Sequence, residues 1–372
     1  MSFAAWTEDQ LARTRAAGQL RQVRTFDARG PVGRFGDAEV VSFASNDYLG
    51  LSSHPAVMAA AQEAIARWGT GATASRLVVG SRPVHAELEA ELADWKGAEA
   101  ALLFPTGFAA NLGILAALGG PDCTIVSDEL NHASIIDGCR LSRSAVSVAR
   151  HNDADHVEHL LDQAVTDRAI VVVDAVFSMD GDAAPLLELG ELCARRGALL
   201  VVDEAHSVFG GAEPVWSSLG LSPLRVVTLS KALGSLGGAV CGPAPLIELL
   251  VNRARPFIFS TASSPADVAA ALAALRIVRS EEGEARIERL RKLTDRLLPG
   301  HPSPIVPVIV GSEADALAAS AALLARGLLV PAIRPPTVPP GTSRLRIALS
   351  ALHTDSMLDQ LEAALAVAGL AP

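Results

Sequence analysis

The chain has 372 residues, half of them hydrophobic and 19% charged, with a formal net charge of −10. That length and composition exclude a disordered protein and leave room for a large core in two or three domains. The acidic balance supplies no basic field for nucleic acid at the level of the whole chain. Four cysteines, Cys123, Cys139, Cys193 and Cys241, are scattered without a C-x-x-C pair. They indicate neither a disulfide framework nor a zinc or other metal site, and fit a reducing cytoplasm. The N-terminal stretch has early acids and no apolar h-region, so no signal peptide is expected. The longest uncharged run, Ala100–Pro121, is interrupted by Pro105, Gly107, Asn111 and Gly113. It reads as a buried strand, turn and helix rather than a membrane span.

Glu8–Val23 has a weak apolar face at Leu11, Ala12, Ala16 and Leu20 and predicts a helix, with Arg21 near its end reading as a solvated charge. Val40–Ala44 predicts a short strand, followed by the polar turn Ser45-Asn46-Asp47-Tyr48-Leu49-Gly50. His54-Pro55 opens a helix to Trp68, with proline in the first turn, where its missing N–H costs nothing. Gly69–Gly80 is a glycine-rich loop, either a linker or a place where backbone meets a ligand or a partner subunit. Val84–Trp95 predicts a helix and Ala101–Phe104 a strand. Thr106-Gly107-Phe108 then starts a helix, and such a turn presents free N–H groups at the positive end of the helix dipole, which suits a phosphate. The strand Thr124–Val126 leads to Asn131-His132-Ala133-Ser134, where the His132 ring either stacks on a cofactor or is structural. Strands at Val146–Val148 and Ala169–Phe177 alternate with helices at Val157–Ala164 and Pro185–Arg196, and Ser178 follows the second of these strands. The alternation is the doubly wound α/β pattern with a mostly parallel sheet. From Ala244 to Leu298 helices dominate, broken at Phe257–Pro265. Short strands follow at Pro304–Val310, Leu328–Ile333 and Leu345–Leu349. The expected division is an N-terminal arm at 1–45, a large domain at 46–270 and a smaller α+β domain at 271–372.

The stretch Leu199–Gly238 concentrates the chemistry. One apolar run stops at Asp203, with His206 three residues later, and a second, Val226–Leu229, stops at Ser230 and Lys231. Two such runs predict buried parallel strands, and ligands bind at the carboxyl ends of strands in open α/β sheets. A carboxylate, a histidine and a lysine would meet there. That set suits pyridoxal phosphate: a lysine holds the aldehyde as a Schiff base, and a carboxylate keeps the ring nitrogen protonated. Each residue alone has an ordinary structural reading: an exposed lysine, a strand-end acid, a core histidine. The letters Asp203-Glu204-Ala205-His206 also spell the DEAH box of helicases, but no Gly-Lys pair exists in the chain to make a phosphate loop.

The chain resembles the α-oxoamine synthases through SNDYLGL, TGFAAN, NHASIIDG, FSMDGD, VVDEAHS, TLSKALGSLGG and TVPPGTSRLRIALSALH. The resemblance implies the aspartate-aminotransferase fold, a homodimer with sites between subunits, and the joining of an amino acid to an acyl thioester with loss of CO2. It implies that Lys231 carries pyridoxal phosphate, Asp203 faces the ring nitrogen, His206 meets the ring hydroxyl and His132 stacks on the ring. Gly107, Phe108, Ser178 and Thr228 match further cofactor contacts. Arg21, Thr337 and Arg346 match substrate contacts, with Asn46 assisting, His132 bordering the substrate, and Arg346 clamping the amino-acid carboxylate. Arg344, two residues away on the same strand, matches no substrate contact. Within the family, AIRPPTVP at Ala332–Pro339 points to the members that use L-alanine and a pimeloyl thioester, carried by CoA or an acyl-carrier protein, in biotin synthesis. Sister synthases with other substrates, and a pyridoxal-phosphate protein without turnover, are the alternatives. The segment SVFGGAEPVWSSLG after His206 departs from the family in being short and lacking Gly-Arg-Gly, as the link at Pro299–Pro304 is also short.

Overall fold

Apolar runs of valine, isoleucine, leucine and alanine form strands, most of them buried on both faces, as a sheet covered by helices on two sides requires, with the edge strand Ala145–Ala149 largely exposed. In the computed structural model, which describes residues 1–209 and 216–372, seven such runs make the central sheet of one compact unit, residues 45–306 with 348–355. They are β1 (Ala100–Phe104), β2 (Cys123–Asp128), β3 (Ala145–Ala149), β4 (Arg168–Asp174), β5 (Leu199–Asp203), β6 (Leu224–Thr228) and β7 (Gly238–Gly242). Their order is β1-β7-β6-β5-β4-β2-β3. β7 runs antiparallel to both neighbours, and the strands from β6 to β3 are parallel. Its glycine-rich sequence hid β7 from the sequence reading.

Period-two alternation sorts the strand residues between two apolar layers. Ile125, Ile170, Val172, Val201, Val226 and Val240 face the layer that holds the helix Gly107–Leu118, α1 here. Val126, Val171, Val173, Leu200 and Val202 face the layer that holds Leu186–Arg196. The uncharged run at 100–121 is β1, a turn and α1, and no helix among the described residues is long and apolar enough to cross a membrane. The four cysteines are buried, and burial raises the thiols of Cys139 to about 11 and of Cys193 and Cys241 to about 12.

The boundary expected near residue 270 falls inside the helix Pro265–Val278. That helix packs on Pro55–Trp68 and Pro83–Lys96, and Glu281–Leu297 packs on it in turn, so this unit continues to Val306.

The other compact unit gathers 1–44, 307–347 and 356–372. The N-terminal segment is therefore no separate arm: Ala38–Ser42 pairs in parallel with Leu328–Leu329. The first helix spans Phe3–Ala16 rather than Glu8–Val23, because Gly18 turns the backbone to φ +65° just after it. The strand expected over Leu328–Ile333 is two, Leu328–Leu329 and Ala332–Ile333, in different sheets, with Pro331 between them.

Candidate active site

Each parallel strand of the middle of the sheet ends in a polar residue: Asp128 on β2, Asp174 on β4, Asp203 on β5 and Thr228 on β6. Around the last three lies a pocket of about 180 Å³. Lys231, Asp203, His206, His132, Gly107, Phe108, Ser178 and Thr228, all singled out from the sequence, line it together.

One wall is the start of α1. Thr106 caps it, its Oγ1 accepting from Ala109 N at 3.0 Å, so the following amides open onto the pocket. The start of β7 lies so close that a Cβ on Gly238 would come 2.5 Å from Gly107 N, which explains glycine there. Gly234, with φ +59°, lets the turn after Lys231 touch the backbone of Leu51 and Ser52. Across the mouth, Thr228 Oγ1 meets Ser230 Oγ at 2.8 Å.

Two hydrogen-bonded chains run through the site. In the first, Lys231 Nζ is 2.8 Å from His206 Nε2, and His206 Nδ1 is 2.7 Å from the hydroxyl of the fully buried Tyr48. Tyr48 in turn donates to Asn46 Oδ1 at 3.1 Å. In the second, Asn111 Nδ2 donates to Asp203 Oδ2 at 2.6 Å and to Ser134 Oγ at 2.9 Å, and Ser134 Oγ is 2.7 Å from His132 Nδ1. Asp203 Oδ1 accepts from Ala205 N at 3.0 Å. Both donors to Asp203 stabilise a negative carboxylate.

His132 stands at the N-cap of the helix Ala133–Leu141, its ring open to the pocket and edge-on to Phe108, with ring centroids 6.2 Å apart. Its backbone N–H donates to Asp174 Oδ2 at 2.7 Å. Buried Asn131 sews the same loop to β4: its Nδ2 donates to Val172 O at 2.8 Å and its Oδ1 accepts from Asp174 N at 2.9 Å. Desolvation lowers the His132 imidazole below its ordinary value, the charge of Asp203 opposes that, and the charge of Lys231 adds to it. The ring is neutral near neutral pH. Burial and the neighbouring charge of Asp203 push Asp174 well above the usual carboxylate range.

The other sequence candidates, Arg21, Thr337 and Arg346, belong to the other compact unit. Arg21 is exposed beyond the first helix and Thr337 is exposed. Arg346 and Arg344 are both buried in the strand Ser343–Ala348, which is the middle strand of a three-stranded sheet. Residues 210–215, the centre of the segment that departs from the family after His206, lie outside the described residues.

Sequence reasoning missed Asp174, Asn111, Ser134 and Tyr48 as site residues. Asp174 ends a valine run as Asp203 does, but the apolar run resumes at Ala175-Val176-Phe177 and disguises the strand end. Asn111 lies one helical turn after Gly107, a spacing that puts it on the same face.

The family described as aminotransferase class I and II matches residues 38–365. The 8-amino-7-oxononanoate synthase of Anaeromyxobacter dehalogenans is 50% identical over 378 residues, covering 97% of this chain and 94% of that protein. The protein of the same name from Methylobacterium nodulans is 48% identical over 376 residues, covering 100% of this chain and 98% of that one. Among solved structures, the serine palmitoyltransferase of S. paucimobilis with a bound PLP–myriocin aldimine superposes with a TM-score of 0.91 at 28% identity, over 99% of this chain and 100% of that one. The chain belongs to the class I and II aminotransferases and, among them, to the 8-amino-7-oxononanoate synthases.

Proposed function

We propose that the protein condenses L-alanine with a pimeloyl thioester, releasing CO2 and the free carrier, to give 8-amino-7-oxononanoate for biotin synthesis. The observation that carries the chemistry is the pocket itself, where Lys231, Asp203 and the amides at the start of α1 surround one space. The substrates rest on the near-full-length identity to synthases of that name.

The donor set fits pyridoxal phosphate. Asn111 Oδ1 is buried without a hydrogen-bond partner among the described residues, so polar capacity remains at the pocket wall. The helix start and the hydroxyls of Thr228 and Ser230 form a cradle for an anion. When bound, the cofactor supplies an aldehyde that captures an amine and a protonated ring that takes up the electrons of a broken Cα bond.

With the cofactor bound, Lys231 Nζ would hold its aldehyde and, when freed, would be the base that takes the Cα proton of alanine and returns one to the product carbon. Such proton transfer contributes typically ~10²–10⁴ in rate. The Asp203 carboxylate keeps the proton on the ring nitrogen. His206, held through Nδ1 by Tyr48, meets the ring hydroxyl. His132, neutral and flanked by Phe108, would stack on the ring and exclude water from the bond being broken. Gly107, Phe108, Ser178 and Thr228 complete the cofactor contacts. Arg346 grips the alanine carboxylate with its fork of N–H donors, and Arg21, Asn46 and Thr337 contact substrate. The same reading makes the enzyme a cytoplasmic homodimer that takes its pimeloyl group from CoA or an acyl-carrier protein.

The test is a matrix of amino acids against acyl thioesters, with products read by mass. Alanine with the pimeloyl donor should give the highest kcat/KM. If glycine with a short acyl-CoA or serine with palmitoyl-CoA outperforms it, the chain is a sister synthase. If no pair turns over while the purified protein shows the visible cofactor band, it binds the cofactor without catalysis.

A further inference from the structure

Resting on the reading above, we propose that Asn111 is a positioning residue: its one side-chain amide holds the ring-nitrogen carboxylate and the stacking histidine in a single register. The two hydrogens of Nδ2 go to different partners, Asp203 Oδ2 at 2.6 Å and Ser134 Oγ at 2.9 Å, and Ser134 Oγ is 2.7 Å from His132 Nδ1. Asp203 approaches from below the cofactor pocket as a strand end, and His132 from the N-cap of a separate helix. Asn111 is the side chain that joins the two walls.

The orientation of this amide is determined by its surroundings. Turned over, Oδ1 would stand 2.6 Å from an oxygen of Asp203, acceptor against acceptor. In the orientation that satisfies Asp203 and Ser134, Oδ1 is buried with no hydrogen-bond partner among the described residues. A side chain kept only for packing would not leave an acceptor unmatched, since an apolar residue of similar size fills the same space without that penalty. Asn111 itself is 1% exposed, so its polarity is not a surface property.

Asp203 has two donors. The Ala205 amide is part of its own turn and moves with it. Asn111 belongs to α1, packed in the core layer with Ile114 and Leu115. It is therefore the donor that fixes the carboxylate against the body of the unit, and so fixes which way Asp203 Oδ atoms point into the pocket.

The experiment compares wild type, Asn111→Ala and Asn111→Ser, each reconstituted with pyridoxal phosphate, by following the visible absorbance band across pH, cofactor affinity by absorbance titration, and thermal melting. Wild type should show the band, and its absence there overturns the functional reading rather than this inference. In either variant the pH at which the band changes should move by about one unit, because the ring nitrogen loses the carboxylate that stabilises its proton. Cofactor affinity should fall about tenfold or more, as expected for a lost donor to a charged group. A purely structural role would lower the melting temperature and leave the spectral pH profile in place. If a folded, cofactor-loaded variant of either kind keeps the wild-type profile, Asn111 does not position Asp203. Should the alanine variant fail to fold, the serine variant, which retains a short polar side chain, decides the matter by the same profile.

Discussion

The ends of β4 and β5 carry the same residue in the same place and put it to different uses. Asp174 and Asp203 are register partners on adjacent parallel strands, both 5% exposed. Asp203 accepts from Asn111 and from Ala205 N. Asp174 accepts from the backbone of His132, but burial and the charge of Asp203 next to it raise it far above an ordinary carboxylate. Two neighbouring carboxylates in a buried site do not both ionise freely. The difference teaches that a strand-end acid is assigned a role by the N–H groups the fold aims at it, not by its position on the sheet.

Substituting amides separates the pair most sharply. Asp203→Asn removes the charge that holds the ring proton, so turnover and α-proton exchange of alanine should both fall by roughly 10²–10⁴. Asp174→Asn should stay within several-fold of wild type, because burial and the charge of Asp203 already disfavour its charged form and the new carbonyl still accepts from His132. Steady-state turnover and deuterium exchange of alanine check both. Equal losses in the two variants would break the comparison.

Glu204, one residue beyond Asp203, extends the contrast. Its carboxylate is buried between Lys96, 2.8 Å from Nζ, and Arg225, so this acid serves stability. Glu204→Gln leaves two buried cations without their counter-charge and should cost about 3–5 kcal/mol in denaturant unfolding. A loss of activity larger than the loss of folded protein would move Glu204 into the site.

These neighbours show what was legible in the chain. Lys231, Asp203, His206 and His132 stood out because each ends or follows an uncharged run, and the pocket assembles all of them. The sheet was legible for the same reason, since strands covered on both faces read as apolar runs. What stayed hidden depends on contacts far apart in sequence. Asn111 meets Asp203 across 92 positions and Tyr48 meets His206 across 158, and no spacing encodes either. The antiparallel β7 was hidden because close backbone approach at Gly238 demands glycine where strand propensity asks for a side chain. The small unit was misread because its strands pair residues near 40 with residues near 328.

Arg346 and Arg344 repeat the comparison on a smaller scale, two like residues on one strand with different expected duties. Arg346→Lys should weaken alanine binding by about 1–3 kcal/mol and slow α-proton exchange, since a lysine cannot copy the two-pronged grip on a carboxylate. Arg344 shares the strand face with Arg346, but its Nε already donates to Thr342 O at 3.0 Å, so Arg344→Lys should leave alanine affinity near wild type. Titration of the cofactor spectrum with alanine reads both affinities. If Arg344 proves the more damaging, the carboxylate grip belongs to it.

The smallest effect tests the rule away from the cofactor, where a histidine rather than an acid is assigned by its neighbours. His151 bridges the end of β2 to the turn after Ser178: its Nδ1 is 3.0 Å from Asp128 Oδ1 and its Nε2 is 2.8 Å from Asp182 Oδ2. Burial pulls the imidazole down, but its hydrogen bonds to both carboxylates and their charges outweigh it and raise it to about 10. The ring also packs edge-on against Phe177, centroids 4.4 Å apart, which ties the bridge to the segment that carries Ser178. A group raised in the folded state stabilises fully below its unfolded value, and the benefit is lost as pH climbs through the folded value. His151→Gln should therefore lower stability by on the order of 1–2 kcal/mol at pH 6, the contribution of a partly exposed charged bridge. The gap between variant and wild type should shrink steadily above neutrality and close near pH 10. Unfolding curves taken across that range measure it. A gap that stays constant to pH 10 would mean that His151 acts by its packing on Phe177 and not by its charge, and that the two carboxylates do not decide its state as Asp203 decides that of Asp174.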